Sequence, residues 1–535
     1  MFEHRQFGWL LGRPKLSGGI VGWAGVAILP GLFVKVNAAA ELDAIFHGEE
    51  FDHTFALGCT SSENLIAALK PDVARKIASK IIDLPLAIRL AAARGEPDKI
   101  PQRAIDLLAE CVSKERESTI PQPLWVSLLE GRIDSDSDFN QADRLLRLLL
   151  YRLAQELRRS GEFRRYICYE LPAHRVLLAQ STFPLLADVE GLAAIANELN
   201  SIQRVDRIEL VTKHALDPAD LIVSFEARRK FAIRHLGVLG SRLTLGEFRD
   251  LIGESTNADR VVMMVAKFLR NDINIKSMRT LVAQRAECQV VYDSIGTSTG
   301  RIVMKSPGVQ WLEKKYRRHI LPPEGYELRY LDYSCFEPTI LAAVSGDAEL
   351  LAACDSDIYE RIGKWLGFQE PVSRDLAKSI LLRFIYGQAQ DKIIATLSAV
   401  AQIGPEDALS RLRGLERRLA RTFEFRAELA SRARATGYME TREGNRYPVG
   451  EEEAYKALSH YLQGTGALIF KRALIGIFNE GSVARLVVPL HDAFLCAFRS
   501  EGLGHCLRHA VAEMRSAFVE VTGTDLARVT VRDEF

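Results

Sequence analysis

The 535-residue sequence predicts an α+β fold, with an antiparallel sheet that carries two acidic strand ends and long helical stretches around it. Two observations carry the sheet. The run Tyr326 to Leu331 alternates apolar residues like a strand and breaks at Asp332, with Glu337 five residues later. Farther on, Arg485 to Leu490 and Ala493 to Phe498 are apolar runs separated only by His491-Asp492, as at a β-hairpin tip. An acidic residue at a strand end is usually a turn former or helix cap. Two of them on one rigid sheet can instead hold a pair of hard cations about 4 Å apart, the arrangement for in-line displacement at phosphorus.

A chain of this length buries a large core and splits into several lobes. The net charge of +1 gives no cationic excess for a polyanionic partner, so any basic cleft is balanced by acidic surface elsewhere. Eight cysteines lie scattered without a CxxC pair or zinc spacing, which reads as free thiols in a reducing cytoplasm. Gly18 to Val34 is apolar and precedes Ala38-Ala39-Ala40, faintly like a secretory signal. Pro30, the glycines and the late start favour a buried strand pair, and the stretch is short of the about 20 residues of a membrane span, so no membrane association is expected.

In chain order, residues 1–165 show helical patterns at Glu63 to Leu69 and Arg144 to Leu157. Asp134, Asp136 and Asp138 alternate with serines and read as a solvated loop. Basic helical stretches follow at Arg260 to Arg270 and Lys276 to Arg285, a surface able to hold duplex phosphates without reading sequence. After the apolar helix Leu341 to Leu351, Ser373 suits an N-cap and Gly387 a stop, predicting one helix over Arg374 to Tyr386. Arg374, Lys378, Leu382 and Tyr386 recur every four residues and form one stripe along it. Two cations a turn apart on that stripe can grip a triphosphate, with Tyr386 near base and sugar. Residues 388–436 are helical and arginine-rich; Leu503 to Phe518 and Ala527 to Val531 read as a last helix and a closing strand.

Asp332-Tyr-Ser-Cys-Phe-Glu337, the Arg374–Lys378–Tyr386 helix and His491-Asp492, in this order, resemble the motifs of the family A DNA polymerases, the DNA polymerase I type. The similarity runs from about Tyr166 to the C-terminus and extends to Thr299-Gly300-Arg301, Pro307-Gly-Val-Gln310, Gly437 to Pro448 and Gln463-Gly-Thr465. It implies a right-hand architecture: an accessory or degenerate exonuclease-like domain at 1–165, a thumb at 166–290, a palm at 291–350 and 456–535, and fingers at 351–455. By the same resemblance Asp332 and Asp492 are catalytic and, with the Tyr333 carbonyl, bind two Mg²⁺ ions, for which Mn²⁺ can substitute. Arg374, Lys378, Tyr386 and Leu382 bind the nucleotide, and Glu337 fills the space of a ribose 2′-hydroxyl. Arg301, Gln310, Gln463 and His491 contact the primer–template minor groove, where donors test pairing geometry without reading sequence.

Departures accompany the resemblance. Leu382 and Arg383 stand where the family commonly has an aromatic followed by Gly, and Tyr359 where it often has His. Asn445 replaces an Arg; Tyr455 and Ser459 replace the Arg and Asn that usually precede the Gln; Ala493 replaces a Glu. No Asp-x-Glu pair stands in a strand context in residues 1–165, so no proofreading is expected. The implied function is template-directed DNA synthesis from dNTPs on a primer–template, by a monomeric catalytic unit in the cytoplasm or on the nucleoid. A single-subunit phage-type RNA polymerase or primase-like enzyme shares the palm, the Arg-x-x-x-Lys helix and the His-Asp tip, but Glu337, Thr299-Gly-Arg301 and Gln463-Gly-Thr465 count against it. A catalytically silent nucleic-acid clamp needs basic residues but gains nothing from two facing carboxylates.

Overall fold

The computed structural model describes residues 150–236, 244–253, 259–285, 287–368, 372–479 and 484–533, together with strands and helices within 7–91. The chain divides into two compact units. The first comprises Met1–Phe183, Tyr292–Val303 and Gly325–Arg532; the second comprises Pro184–Val291, Met304–Glu324 and the last three residues.

The first unit begins with a five-stranded sheet of order β3-β2-β1-β4-β5: β1 (Phe7–Ser17), β2 (Ile20–Leu29), β3 (Leu32–Val36), β4 (Ala56–Cys59) and β5 (Ile81–Asp83). β1, β2 and β3 pair antiparallel, whereas β4 runs parallel to β1 and β5 parallel to β4. The strand pair expected over Gly18 to Val34 is β2 and β3, with Leu29 opposite Leu32. β1 to β4 carry no acidic residue. α1 (Pro71–Ala78) and α2 (Leu84–Ala91) flank β5. The aspartates at 134, 136 and 138 lie outside the described residues.

A second sheet, fully antiparallel, has the order β9-β10-β6-β11: β6 (Tyr326–Tyr333), β9 (Arg485–Pro489), β10 (Ala493–Arg499) and β11 (Val529–Arg532). The helix α10 (Ala457–Ile477) is buried almost all round and packs with α11 (Leu503–Thr522) against this sheet. Phe470 of α10 stacks on Phe494 of β10 at 3.9 Å, and Tyr333 Oη donates to the Met514 carbonyl at 2.7 Å. Between β6 and α10 run α4 (Phe336–Ser345), α5 (Ile358–Trp365), α6 (Val372–Ile385), α7 (Gln390–Ala401), α8 (Pro405–Arg418) and α9 (Ala420–Thr436), then the short hairpin β7 (Tyr438–Glu440) and β8 (Arg446–Pro448). The helical reading of residues 388–436 and the closing strand on the sheet both correspond to what the fold contains.

The second unit packs the helices Val189–His214 and Arg260–Ala283 around Leu210, Leu221, Phe231, Phe248 and Val265. Asp188 and Asp259 cap these helices, accepting from Gly191 N and Val261 N. The two basic stretches read separately in the sequence are one continuous helix. Among the described residues no helix is long and apolar enough to cross a membrane.

Candidate active site

β6 ends at the residue pair around which the site forms. Asp332 lies opposite Ala493 of β10 and Thr530 of β11. Leu490 N donates to Ala493 O at 2.8 Å, closing a two-residue turn over His491-Asp492, and Tyr333 N donates to Asp492 O at 3.0 Å. The turn is therefore bonded to the end of the strand that carries Asp332. Both aspartates line one cavity of about 510 Å³. Burial pushes the Asp492 carboxyl above the usual carboxylate range, with Arg301 and Lys378 pulling the other way.

The predicted cation stripe opens onto the same cavity: Arg374, Lys378, Leu382 and Tyr386 all line it. The helix differs from expectation at its start. Val372 is already helical, so Ser373 falls in the first turn instead of capping it, because the hydrogen-bond ladder begins two residues earlier than the local signal suggests. Its end is as expected: Gly387 has φ +76°, and a Cβ there would run into the Tyr455 carbonyl oxygen. Arg383, which the sequence left without a role, donates to Gln388 Oε1 at 2.8 Å and Ser379 Oγ at 3.3 Å and so braces that end.

Asp357 sets the direction of Arg374. Its Oδ1 caps α5 by accepting from Tyr359 N and Glu360 N, while its Oδ2 accepts from Arg374 Nε at 3.0 Å. The Tyr359 ring lies beneath both cations, 5.5 Å from the Arg374 guanidinium carbon and 6.0 Å from Lys378 Nζ.

Glu337 is held at both oxygens. Arg301 Nη2 donates to Oε1 at 2.7 Å and Tyr386 Oη donates to Oε2 at 3.0 Å. Burial and the Glu337 charge raise the Tyr386 hydroxyl above its ordinary range, which keeps it a donor. The Gln463 side chain, on α10, also reaches the Tyr386 hydroxyl.

Arg301 is presented by a rigid turn. Gly300 N donates to Thr297 O and Arg301 N to Thr297 Oγ1, both at 2.9 Å, while Tyr447 Oη donates to Thr299 O at 3.1 Å. Asn445, at the position of the family's Arg, is buried and donates to Tyr447 Oη at 3.2 Å, so it supports this turn from below. Gly300 has φ +77°, and a Cβ there would lie 2.8 Å from Arg165 Nη2. That guanidinium belongs to a buried ionic quartet: Arg165 bonds Glu162 at 3.1 Å and Glu170 at 2.8 Å, and Lys471 Nζ meets Glu170 Oε2 at 2.5 Å.

Of the residues picked from the sequence, Asp332, Tyr333, Glu337, Arg301, Arg374, Lys378, Leu382, Tyr386, His491 and Asp492 share the cavity. The Tyr333 side chain is buried in the core, so its contribution there is main-chain. Gln310 belongs to the second unit, where its Oε1 accepts from Met304 N at 2.7 Å. Among the lining residues not picked as site residues from the sequence are two charged ones. Asp357 looks like an ordinary helix cap, and Arg532 sits in a short terminal strand. The register of β11 puts Thr530 opposite Asp332 and Arg532 opposite Tyr330, on the same face, and Arg532 Nη2 comes within 3.6 Å of Asp332 Oδ2.

Among the described residues no cluster of three or more His, Cys, Asp or Glu side chains gathers as a metal site. Two carboxylates and a main-chain carbonyl on one cavity are nevertheless a hard-oxygen donor set that fits Mg²⁺, which keeps several waters and takes one or two protein carboxylates beside substrate phosphates.

Residues 263–526 match the sequence profile of DNA polymerase family A. The chain is 25% identical over 210 residues to the DNA polymerase of Mycobacterium phage D29, covering 38% of this chain and 33% of the phage protein. It is 24% identical over 392 residues to the thermostable DNA polymerase I of Thermus thermophilus, covering 66% of this chain and 46% of that protein. The match to DNA polymerase I of Mycobacterium bovis is 24% over 435 residues, 73% of this chain and 47% of the relative. The chain thus spans half or less of the length of these relatives. Its fold matches the POL domain of Pol1 from M. smegmatis, solved in complex with DNA primer-template and dNTP, with a TM-score of 0.72 at 17% identity over 99% of this chain and 95% of that one. Through residues 263–526, with the aspartate pair and the cation helix on one cavity, the chain belongs to DNA polymerase family A.

Proposed function

We propose that the chain extends a primer along a template from dNTPs, releasing pyrophosphate by nucleotidyl transfer at two Mg²⁺ ions. The observation that carries this reading is that Asp332 and Asp492, on hydrogen-bonded neighbouring chain segments, line the same cavity as Arg374 and Lys378. Asp332, Asp492 and the Tyr333 carbonyl would hold the ions. When bound, the ions lower the pKa of the primer hydroxyl and neutralise the triphosphate and the departing pyrophosphate. Arg374 and Lys378 grip the phosphates, Asp357 aiming the guanidinium and Tyr359 supporting both cations. Leu382 and Tyr386 wall the base and sugar pocket. Arg301, Gln463 and His491 serve the minor groove. In this reading β6, β9, β10 and β11 are the palm and α5 to α9 the fingers. The basic helix Arg260–Ala283 belongs to the thumb.

The N-terminal sheet is read as exonuclease-like without proofreading. β1 to β4 offer no carboxylate to a metal, and the Asp83 of β5 is spent on capping α2 through Leu86 N at 2.7 Å.

Primer extension on a defined template tests the proposal. Deoxynucleotide addition that depends on Asp332 supports it. Ribonucleotide addition of equal efficiency would make the chain an RNA polymerase, and tight binding without extension at any divalent ion would make it a clamp.

Two further outcomes follow from the geometry. Arg374→Ala or Lys378→Ala is expected to raise the dNTP KM about 10-fold or more, the size of one charge-assisted contact. An unchanged KM would remove that residue from the nucleotide site. Glu337→Ala opens the space beside the sugar and frees Tyr386, so relative ribonucleotide use should rise about 10²-fold in kcat/KM, and an unaltered sugar preference would refute the role.

A further inference from the structure

The Arg301 turn is fixed on one side by the core of its unit, through Tyr447 and the buried Arg165 beneath Gly300. Its other side is the segment Asp293–Gly296, and what holds that segment comes from the N-terminal part of the chain. Arg89, on the last turn of α2, donates through Nη1 to Asp293 Oδ1 at 2.9 Å and through Nη2 to Ile295 O at 2.8 Å. The pair is nearly closed to solvent, with Arg89 13% and Asp293 8% exposed at the side chain. Asp293 Oδ1 also accepts from Ile295 N at 3.1 Å, so one guanidinium grips both arms of a tight local turn. Gly296 follows, packed so closely that a Cβ would lie 2.6 Å from Val303, and Thr297 then accepts the two bonds that shape Gly300 and Arg301.

α2 is itself firmly mounted. Its first turn is capped by Asp83, whose Oδ2 lies 3.6 Å from His174 Nε2, and Arg175 Nε donates to Ile81 O at 2.8 Å. Both partners are on α3 (Leu171–Gln180). Arg75 Nη1 adds a bond to Thr182 Oγ1 at 3.2 Å.

We propose that Arg89 is a positioning residue: the N-terminal region, empty of acidic residues on β1 to β4, serves through it to set the Asp293–Arg301 segment, and so the Arg301–Glu337–Tyr386 clamp that selects the sugar. The sugar-selection half of this inference rests on the polymerase reading above; the positioning half does not.

The test compares full-length wild type, Arg89→Ala and Arg89→Lys in two measurements. The first is amide hydrogen exchange, which needs no catalysis. Arg89→Ala should speed exchange of the Gly300 and Arg301 amides about 10-fold, with the β6 and β10 amides unchanged, because only a local opening is made easier. The second is primer extension with dNTPs and with ribonucleotides. Relative ribonucleotide kcat/KM should rise about 5-fold while the dNTP kcat stays within about 2-fold, since a small displacement of Glu337 relaxes exclusion more than chemistry. Arg89→Lys, which keeps one charged bond, should fall between. Unchanged exchange at 300 and 301 overturns the proposal. So does a lower Tm with uniform loosening and an unaltered sugar ratio, the signature of a merely structural pair. If wild type extends no primer, the polymerase reading fails, and the exchange result still decides whether Arg89 sets the turn.

Discussion

Asp332→Ala and Asp492→Ala are each expected to lower primer extension by about 10³-fold or more, the cost of removing a hard-oxygen ligand from ions that stabilise charge developing at the reacting phosphorus. Each substitution leaves one carboxylate and the Tyr333 carbonyl, so neither spares a complete donor set. The loss should appear in kcat at saturating dNTP, because the phosphate grip belongs to Arg374 and Lys378 on α6. Stability should hardly change in Asp332→Ala. Its partner Arg532 is half exposed at 3.6 Å, and such a surface pair contributes about 0–1 kcal/mol. Single-turnover extension with a melting curve on the same preparation checks both halves. A residual rate within about 10-fold of wild type in a folded Asp332→Ala protein would rule out the aspartate pair as the catalytic centre.

The second large effect is on stability. Lys471 and Glu170 are both wholly buried, with Arg165 and Glu162 completing a neutral quartet. Burial pulls the Lys471 ammonium below its ordinary range against the pull of Glu170. For Glu170 burial acts to raise the carboxyl, and Lys471 and Arg165 more than offset it. Lys471→Met leaves one carboxylate in excess in a dry interior and should cost about 3–5 kcal/mol by denaturant unfolding. Removing both members, Lys471→Met with Glu170→Leu, keeps the Arg165–Glu162 pair neutral and should recover much of that loss. A double-mutant cycle with no coupling would show that the two charges do not compensate each other. Because Arg165 lies under Gly300, the single variant should also disturb the Arg301 turn.

Local chemistry in the sequence reached far into this molecule. The strand break at Asp332, the His491-Asp492 tip and the four-residue recurrence Arg374, Lys378, Leu382, Tyr386 depend on periodicity and turn geometry, which short-range sterics set whatever surrounds them. These gave the antiparallel sheet and the charged residues at the centre of the cavity, while the resemblance to a known family added Arg301, Tyr333 and Glu337. The helix start slipped by two residues, from Arg374 to Val372, for the same reason that helix ends are generally ambiguous, since neighbouring residues can take up the first bonds equally well.

What tertiary structure alone decided are the partners that depend on register and on contacts between distant segments. Arg532 reaches Asp332 only because Val529–Arg532 pairs with β6 in one register, and a slip of one residue would turn it to the other face. Asp357 serves α5 and Arg374 together, a double use invisible in a residue that already explains itself as a cap. Arg89 meets Asp293 across 204 positions, and Lys471 meets Glu170 across 301. A lone charged residue in a sequence is by default solvated, and only packing that removes the water turns it into a fixed part of the site.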